Sequence, residues 1–506
     1  MVTSMEHFDV IIVGAGLSGI AAGYHLQTKC PDRSYAILER RDAIGGTWDL
    51  FRYPGVRSDS DMHTLGYSFR PWVAEKSIAD GPAIREYVCD TARDHGIDKK
   101  IRYGLAVKRA AWSTPDARWT LEAERTDGSG FSRISCNFLF MCSGYYNYNK
   151  GYTPDFEGME DFQGQIVHPQ KWTEDIVHEG KKVVVIGSGA TAATLVPEIA
   201  KTAAHVTMLQ RSPTYMVAAP DKDSINARLR RWLPEKLAYT LTRWKNILLF
   251  SAMFRLVRRY PNAAKKGLLK RVQEELGPDF DVNTHFTPNY KPWDQRMCLV
   301  PNGDLFGAIR EERASVVTDH IERFTEKGLL LKSGRQLEAD MIVTATGLNL
   351  LFLAGLEITV DGERQDLSKS LTYKAILFSD IPNLAMAIGY TNASWTLKCD
   401  LTCEYVAKLL NYMKKNGFEQ VCPRPDGTPI LDEEMLALES GYIKRAIDQF
   451  PRQGKNEPWR AYQNYLRDIV MVRYGKLADD VLAFSTPERK AEAKPGDEGR
   501  EQAAVA

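Results

Sequence analysis

The apolar pattern of the chain breaks twice in the same way. Phe8-Asp9-Val10-Ile11-Ile12-Val13 runs into Gly14-x-Gly16-x-x-Gly19, and Val183-Val184-Val185-Ile186 runs into Gly187-x-Gly189-x-x-Ala192. Unbroken apolar runs of this length suit strands buried on both faces, and the spacing after each glycine loop is helical. Each therefore predicts strand–turn–helix, a turn whose backbone N–H groups and helix N-terminus can hold a pyrophosphate. One such loop is weak evidence, because short glycine patterns are common. Two of them imply two nucleotides, and two nucleotides imply redox chemistry.

Around these loops the pattern divides the chain into two α/β units. In the first, Tyr35–Leu38 reads as a strand ending in Glu39, twenty residues past Gly19, where an acid bonds a ribose hydroxyl pair. Val107–Trp112, Trp119–Glu124 and Phe138–Cys142 follow as strands; the first two turn at Ser113–Asp116, and the last closes on Ser143-Gly144. The second unit opens near Lys181, and its second strand is His205–Leu209. It resumes at about Lys291, with Leu329–Lys332 and Met341–Ala345 as later strands. A strand at Asn383–Ile388 and a helix from about Trp395 are expected to rejoin the first unit. The fold expected is α/β: two Rossmann-like dinucleotide-binding domains with β-meanders and a helical insertion. The boundaries are 1–150 with 380–485 for the first domain, and 151–219 with 291–379 for the second. The insertion spans 220–290, and 486–506 is a charged, Ala/Gly-rich tail expected to be disordered.

Composition narrows the picture. At 506 residues the chain exceeds one core, and 44% hydrophobic with 26% charged residues is ordinary for a globular protein. A formal charge of +1 argues against a nucleic-acid partner. The eight cysteines show neither zinc spacing nor a C-x-x-C pair, so no metal site is expected and the thiols read as reduced. The first strand begins within ten residues, without room for a signal peptide, and Ile247–Phe254 is too short to span a bilayer. A cytoplasmic location follows. The insertion carries fourteen Lys+Arg against seven Asp+Glu. It is taken as a cap over the substrate, with a weak contact to the inner membrane surface and a solvated outer face as alternatives.

The two nucleotide sites differ in the residue that ends their second strand. His205–Leu209 is followed by Gln210-Arg211-Ser212, not by an acid. A carboxylate would repel a 2′-phosphate, whereas a guanidinium pairs with it, so this site is expected to prefer NADPH to NADH. Glu39 suits the ribose of FAD, and by the loop alone it suits NAD equally well.

Downstream of Glu39 stands Gly45-Gly46-Thr47-Trp48-Asp49-Leu50-Phe51-Arg52-Tyr53-Pro54-Gly55-Val56-Arg57-Ser58-Asp59. Between the two units stands Phe162-x-Gly164-x-x-x-His168-x-x-x-Trp172. These resemble the long and short fingerprints of Baeyer–Villiger monooxygenases, and both lie in order between two dinucleotide loops. The resemblance runs from about Phe8 to Phe484 and is strongest toward mycobacterial members, through Gly45–Asp61, Gly187–Pro197, Asn289–Phe306 and Gly389–Leu397. Thr173 departs from the motif, which has Pro or Asp there.

The resemblance implies FAD in the first domain and NADPH in the second. It implies that reduced flavin captures dioxygen as a C4a-peroxyflavin. The oxygen is then inserted into a ketone, giving an ester or lactone, or passed to a sulfide. It places the catalytic charge at Arg296, oriented by Asp59; arginine stays protonated and presents a rigid fork of donors. Gly14, Gly16, Ser18, Gly19 and Glu39 would hold FAD, with Gly46, Thr47, Trp48, Asp49 and Leu50 lining the flavin and Val107 bonding the adenine. Arg57, Ser58 and Asp59 would face the nicotinamide. Gly187, Ser188, Gly189, Ala190, Thr191, Ala192, Gln210 and Arg211 would hold NADPH. Asn392 and Trp395 would lie beside the flavin, and Trp459 with Asn464 would belong to a loop touching NADP. Gln295 replaces a lysine frequent in relatives, leaving Arg211 most of the 2′-phosphate. His168, on the linker, is read as structural. An N- or S-oxygenase without ketone activity is one alternative, and a catalytically silent flavin-binding regulator is another. A disulfide reductase would need a cysteine pair that the chain lacks. Oligomeric state is left open.

Overall fold

The computed structural model describes residues 5–425, 427, 430–435 and 440–487. Beyond Pro487 the expected disordered tail lies outside them. In the first unit Glu6–Val13 pairs in parallel with Tyr35–Leu38 on one side and Phe131–Met141 on the other. The beginning of Phe131–Met141 also closes a meander with Arg118–Arg125 and Leu105–Ser113, while its last residues pair with Leu384–Met386. The second unit is a five-stranded parallel sheet ordered Ala314–Thr318, His205–Gln210, Lys182–Ile186, Met341–Thr344 and Gln165–Val167. Its own meander is Ile321–Thr325, Gly328–Leu331 and Gln336–Glu338.

Each apolar run earns its burial by serving two cores. Successive strand side chains point to opposite faces. Val10 and Ile12 therefore meet helix Leu17–Lys29 and the long helix Trp395–Asn416, while Ile11 and Val13 meet Trp112, Trp119 and Leu121 of the meander. The second unit repeats the plan. Val183 and Val185 face helix Ala190–Ile199, and Val184 and Ile186 face Phe324, Leu329 and Leu331.

One boundary moves. The expectation kept 291–379 in the second unit, yet Glu357–Val360 pairs with Leu105–Ser113 and Leu377–Phe378 pairs with Leu384–Met386. The chain therefore returns to the first sheet soon after Gly347. Strands this short have no amphipathic repeat to announce which sheet they join.

The insertion is helical, with Ser224–Trp232, Glu235–Arg259, Pro261–Leu276 and Val282–Phe286. Pro234 precedes the long helix and Pro261 opens the next, both positions where a missing N–H costs nothing. The long helix sits on the first unit through Arg243, which donates to the carbonyls of His63 and Gly66.

Candidate active-site cleft

Both glycine loops open into one cleft of about 910 Å³. Helices Leu17–Lys29 and Ala190–Ile199 start from Gly16 and Gly189, and neither has a side-chain cap. Their first-turn N–H groups are thus available to an anion, as a dinucleotide pyrophosphate requires. Glycine is obligatory at the strand ends. A Cβ on Gly14, at φ +104°, would meet the Cys142 carbonyl oxygen at 2.7 Å, and one on Gly187, at φ +138°, would meet that of Ala345 at 2.4 Å. The residues present therefore fit two dinucleotides.

On the first side Glu39 is buried and accepts the backbone N–H groups of Ala15 (2.7 Å) and Arg41 (2.9 Å). Burial pushes its carboxyl up despite those donors. Gly46, Thr47, Trp48 and Val107 line the same wall. The Trp395 indole N–H donates to Ser18 Oγ at 2.9 Å, and its ring lies 5.1 Å from that of Tyr145. On the second side Arg211, Lys332 and His320 reach the cleft from exposed positions.

Between the loops Arg296 and Asp59 form a bidentate pair, with Nε–Oδ2 at 2.7 Å and Nη2–Oδ1 at 3.0 Å. The Asp59 carboxylate holds the guanidinium above its ordinary range, against the desolvation that would lower it. Both side chains keep about a third of their surface open, 34% and 32%. The result is a permanent cation with one face free toward the cleft. Two contacts lock the halves around it. Arg57 pairs with Asp304 at 2.5 Å, and the Tyr53 hydroxyl bonds Thr191, with burial pushing its pKa up to about 12.

Arg296, Asp59, Arg57, Ser58, Gly16, Ser188, Gly189, Ala190 and Thr191 all face the cleft as the sequence suggested. Others stand behind its wall. A Cβ on Gly19 would lie 1.9 Å from the Gly14 carbonyl oxygen, so this glycine lets helix and strand approach. Ala192 is buried inside its helix, and Leu50 lies behind the wall. Asp49 is buried and anchors Arg41 (2.5 Å), Arg85 (2.8 Å) and Arg52 (3.0 Å). Burial pushes its carboxyl up, but the three guanidiniums, Arg41 first, outweigh that and hold it below its ordinary value.

Three residues expected at the cofactors do not line the cleft. Gln210 turns away and donates to the His285 carbonyl and Thr318 Oγ1. Asn392 donates to the Gln463 carbonyl. Trp459 is fully buried and packs edge-on against Tyr373, while Asn464 merely caps helix Tyr465–Ile469. No residue of 220–290, the insertion expected to cap the substrate, lines the cleft. His168 is structural as read, its ring bonding the Gly347 carbonyl and the Gln170 N–H. Trp172 packs in the core of the second unit.

What the sequence did not show is an aromatic wall. Tyr145, Tyr146 and Tyr442 surround Arg296, although Tyr442 lies about 300 positions from the other two. Tyr145 and Tyr146 follow Ser143-Gly144 directly in the chain; nothing local to Tyr442 places it beside them.

A family model described as flavin-binding monooxygenase-like matches residues 78–392, and one described as an NAD(P)-binding Rossmann-like domain matches residues 12–75. The chain belongs to the flavin-binding monooxygenase family. It is 54% identical over 481 residues to the FAD-containing monooxygenase EthA of Mycobacterium tuberculosis, covering 95% of this chain and 98% of that protein. It is 50% identical to the putative FAD-containing monooxygenase MymA of the same organism, covering 95% and 98%. It is 47% identical to the probable FAD-binding monooxygenase AlmA of Acinetobacter baylyi, covering 97% and 99%. An oxidized steroid monooxygenase bound to NADP shares the fold at TM-score 0.75 and 21% identity, over 95% of this chain and 99% of that one. Cyclohexanone monooxygenase from Rhodococcus does so at 0.73 and 19%, over 96% and 100%. This flavin-binding monooxygenase is thus an FAD- and NADPH-dependent enzyme. A catalytically silent regulator is no longer a reading of the chain.

Proposed function

We propose that FAD lies along Gly14, Gly16, Glu39 and Gly46–Trp48, and NADPH along Gly187–Thr191 with Arg211 at its 2′-phosphate. The Rossmann-like match over residues 12–75 describes the loop, and the buried Glu39 with the Gly45–Asp59 fingerprint supports flavin there. We further propose that the enzyme oxygenates sulfur or nitrogen in small organic molecules. FAD reduced by NADPH supplies activated dioxygen at such a site.

The observation carrying this reading is the Arg296–Asp59 pair between the two loops. Asp59 fixes the guanidinium plane, and Tyr145, Tyr146 and Tyr442 stand around its open face. A preorganised cation there stabilises negative charge on oxygen without reorganising at the moment of reaction. A heteroatom lone pair then needs only access, whereas a ketone must also be held while a carbon migrates.

Ketone insertion was the first expectation and becomes the second reading. Arg296 suits a developing oxyanion and supports it. The full-length relatives, however, are named only as FAD-containing or FAD-binding monooxygenases, and the ketone-named or steroid-named structures share 19–21% identity and support the fold alone. The test offers a thioether, a tertiary amine and a cyclic ketone with NADPH and dioxygen. Sulfoxide or N-oxide should form in proportion to NADPH consumed, with less ester. Ester as the main product would reverse the order of the readings. NADPH consumed with hydrogen peroxide as the sole product would sink both.

A further inference from the structure

The long insertion helix Glu235–Arg259 has one side on the protein and one side on nothing. Ala238, Tyr239, Thr242, Arg243 and Ile247 are its buried residues. Opposite them Leu237, Leu241, Trp244 and Leu248, spaced four, three and four apart, form a ridge exposed by 46%, 44%, 38% and 52%. Past Ile247 the helix buries no residue at all, so Leu249, Phe250, Met253 and Leu256 stand exposed on the side opposite the ridge, and Trp232 just before the helix is 87% exposed. Scattered exposed leucines are ordinary; a four-residue apolar ridge leading to a helix end that is apolar on both sides is not.

Charge identifies what covers it. Between Trp232 and Gln273 the one acid is Glu235, which lies 3.9 Å from Arg230. Arg231 and Lys236 stand exposed at one end of the ridge, Arg255 and Arg259 at the other. A second copy of the chain pairing through this helix would set basic ends against basic ends in either orientation. An anionic lipid surface instead takes the apolar ridge into the acyl boundary and the arginines among headgroup phosphates. None of the described helices is long and apolar enough to cross a membrane, so the contact is interfacial.

We propose that Trp232–Arg259 docks this monooxygenase onto anionic bilayers. The docked helix also reaches the active-site segment. Phe254 packs against Trp293 at 5.3 Å and Arg258 pairs with Asp294 at 2.8 Å, two to three residues before Arg296.

The experiment sediments the full-length, FAD-loaded enzyme with vesicles of phosphatidylglycerol or of phosphatidylcholine alone. Wild type should pellet with phosphatidylglycerol, less so as salt rises, and stay in solution with phosphatidylcholine. Leu248→Glu with Leu249→Glu should lower partitioning roughly tenfold or more, because charge now enters the acyl boundary. NADPH oxidation without vesicles should not change. Arg255→Glu with Arg259→Glu, which leaves the ridge intact, should remove the preference for the anionic lipid. Wild type remaining in solution with both lipids overturns the proposal, as does a leucine variant that pellets like wild type. Light scattering that finds a wild-type dimer and a monomeric leucine variant overturns it in favour of a second copy.

Discussion

The two glycine loops share a motif and differ in their surroundings. At the first, Ala15, Ser18 and Gly19 are buried, the strand behind it leads to the buried Glu39, and a Cβ on Gly46 would come within 3.0 Å of Gly16 Cα. At the second, Gly189 and Ala190 are exposed, a Cβ on Gly189 would meet nothing within 4 Å, and Arg211 stands in solvent. One backbone device thus occurs once enclosed and once open. An enclosed loop suits a group that stays, and an open one suits a group that must leave every turnover, which is the division proposed above for FAD and NADPH.

The largest effect is expected where the two loops meet. Arg296→Ala should cut oxygenated product about 100- to 1,000-fold while both nucleotides still bind. Assays of product, FAD content and NADP affinity check it, and unchanged product would remove the cation from the mechanism. Gly14→Ala attacks the enclosed loop itself. The methyl would press on a carbonyl at a positive φ, costing roughly 3 kcal/mol, and the protein should purify without flavin absorbance. A yellow, equally stable variant would break the comparison.

Behind the same loop, Asp49→Asn leaves three arginines without their carboxylate. The loss should be roughly 2 kcal/mol, less than for a fully buried pair because the arginines are partly solvated. Its pH dependence has a sign. The folded carboxyl lies below its ordinary value of 3.8, so the wild-type advantage is full above that pH and disappears as pH falls below it. Thermal unfolding of both proteins from neutral to acidic pH measures it; a gap independent of pH would assign the loss to packing.

At the open loop the effects shrink. Arg211→Ala should raise the KM for NADPH about tenfold and leave that for NADH alone, since one guanidinium–phosphate contact is lost. Equal changes for both would move the 2′-phosphate elsewhere, with Lys332 and His320 the remaining cations on that wall. Gly189→Ala should change stability by less than about 0.5 kcal/mol, since a Cβ there meets no protein atom within 4 Å. Were Gly189→Ala as damaging as Gly14→Ala, the two loops would not differ as described.

The local parts of the site were legible because their chemistry is written in consecutive residues. The strand runs, the glycine loops, Gly45–Asp59 and Arg296 all face or build the cleft where the patterns put them. Residues that stand off the cleft were those placed by resemblance or by a neighbour in the chain. Gln210 precedes Arg211, but alternation along the strand sends it inward to His285 while Arg211 goes out. Trp459 and Asn392, placed at the cofactors by resemblance, are held by the core and by Gln463.

Sequence by itself determined what each segment is: two buried strands feeding two anion-binding turns, a basic helical insertion, and the side chains able to carry charge. Periodicity and loop chemistry are local, so they survive without coordinates. Only the tertiary structure decided what meets what. Arg57 joins Asp304 across 247 positions, Tyr442 joins Tyr145 and Tyr146, and the leucine ridge of the insertion is left facing outward. Those outcomes depend on how separate elements share a limited interior. A single strand or helix holds no record of the faces its distant neighbours leave uncovered.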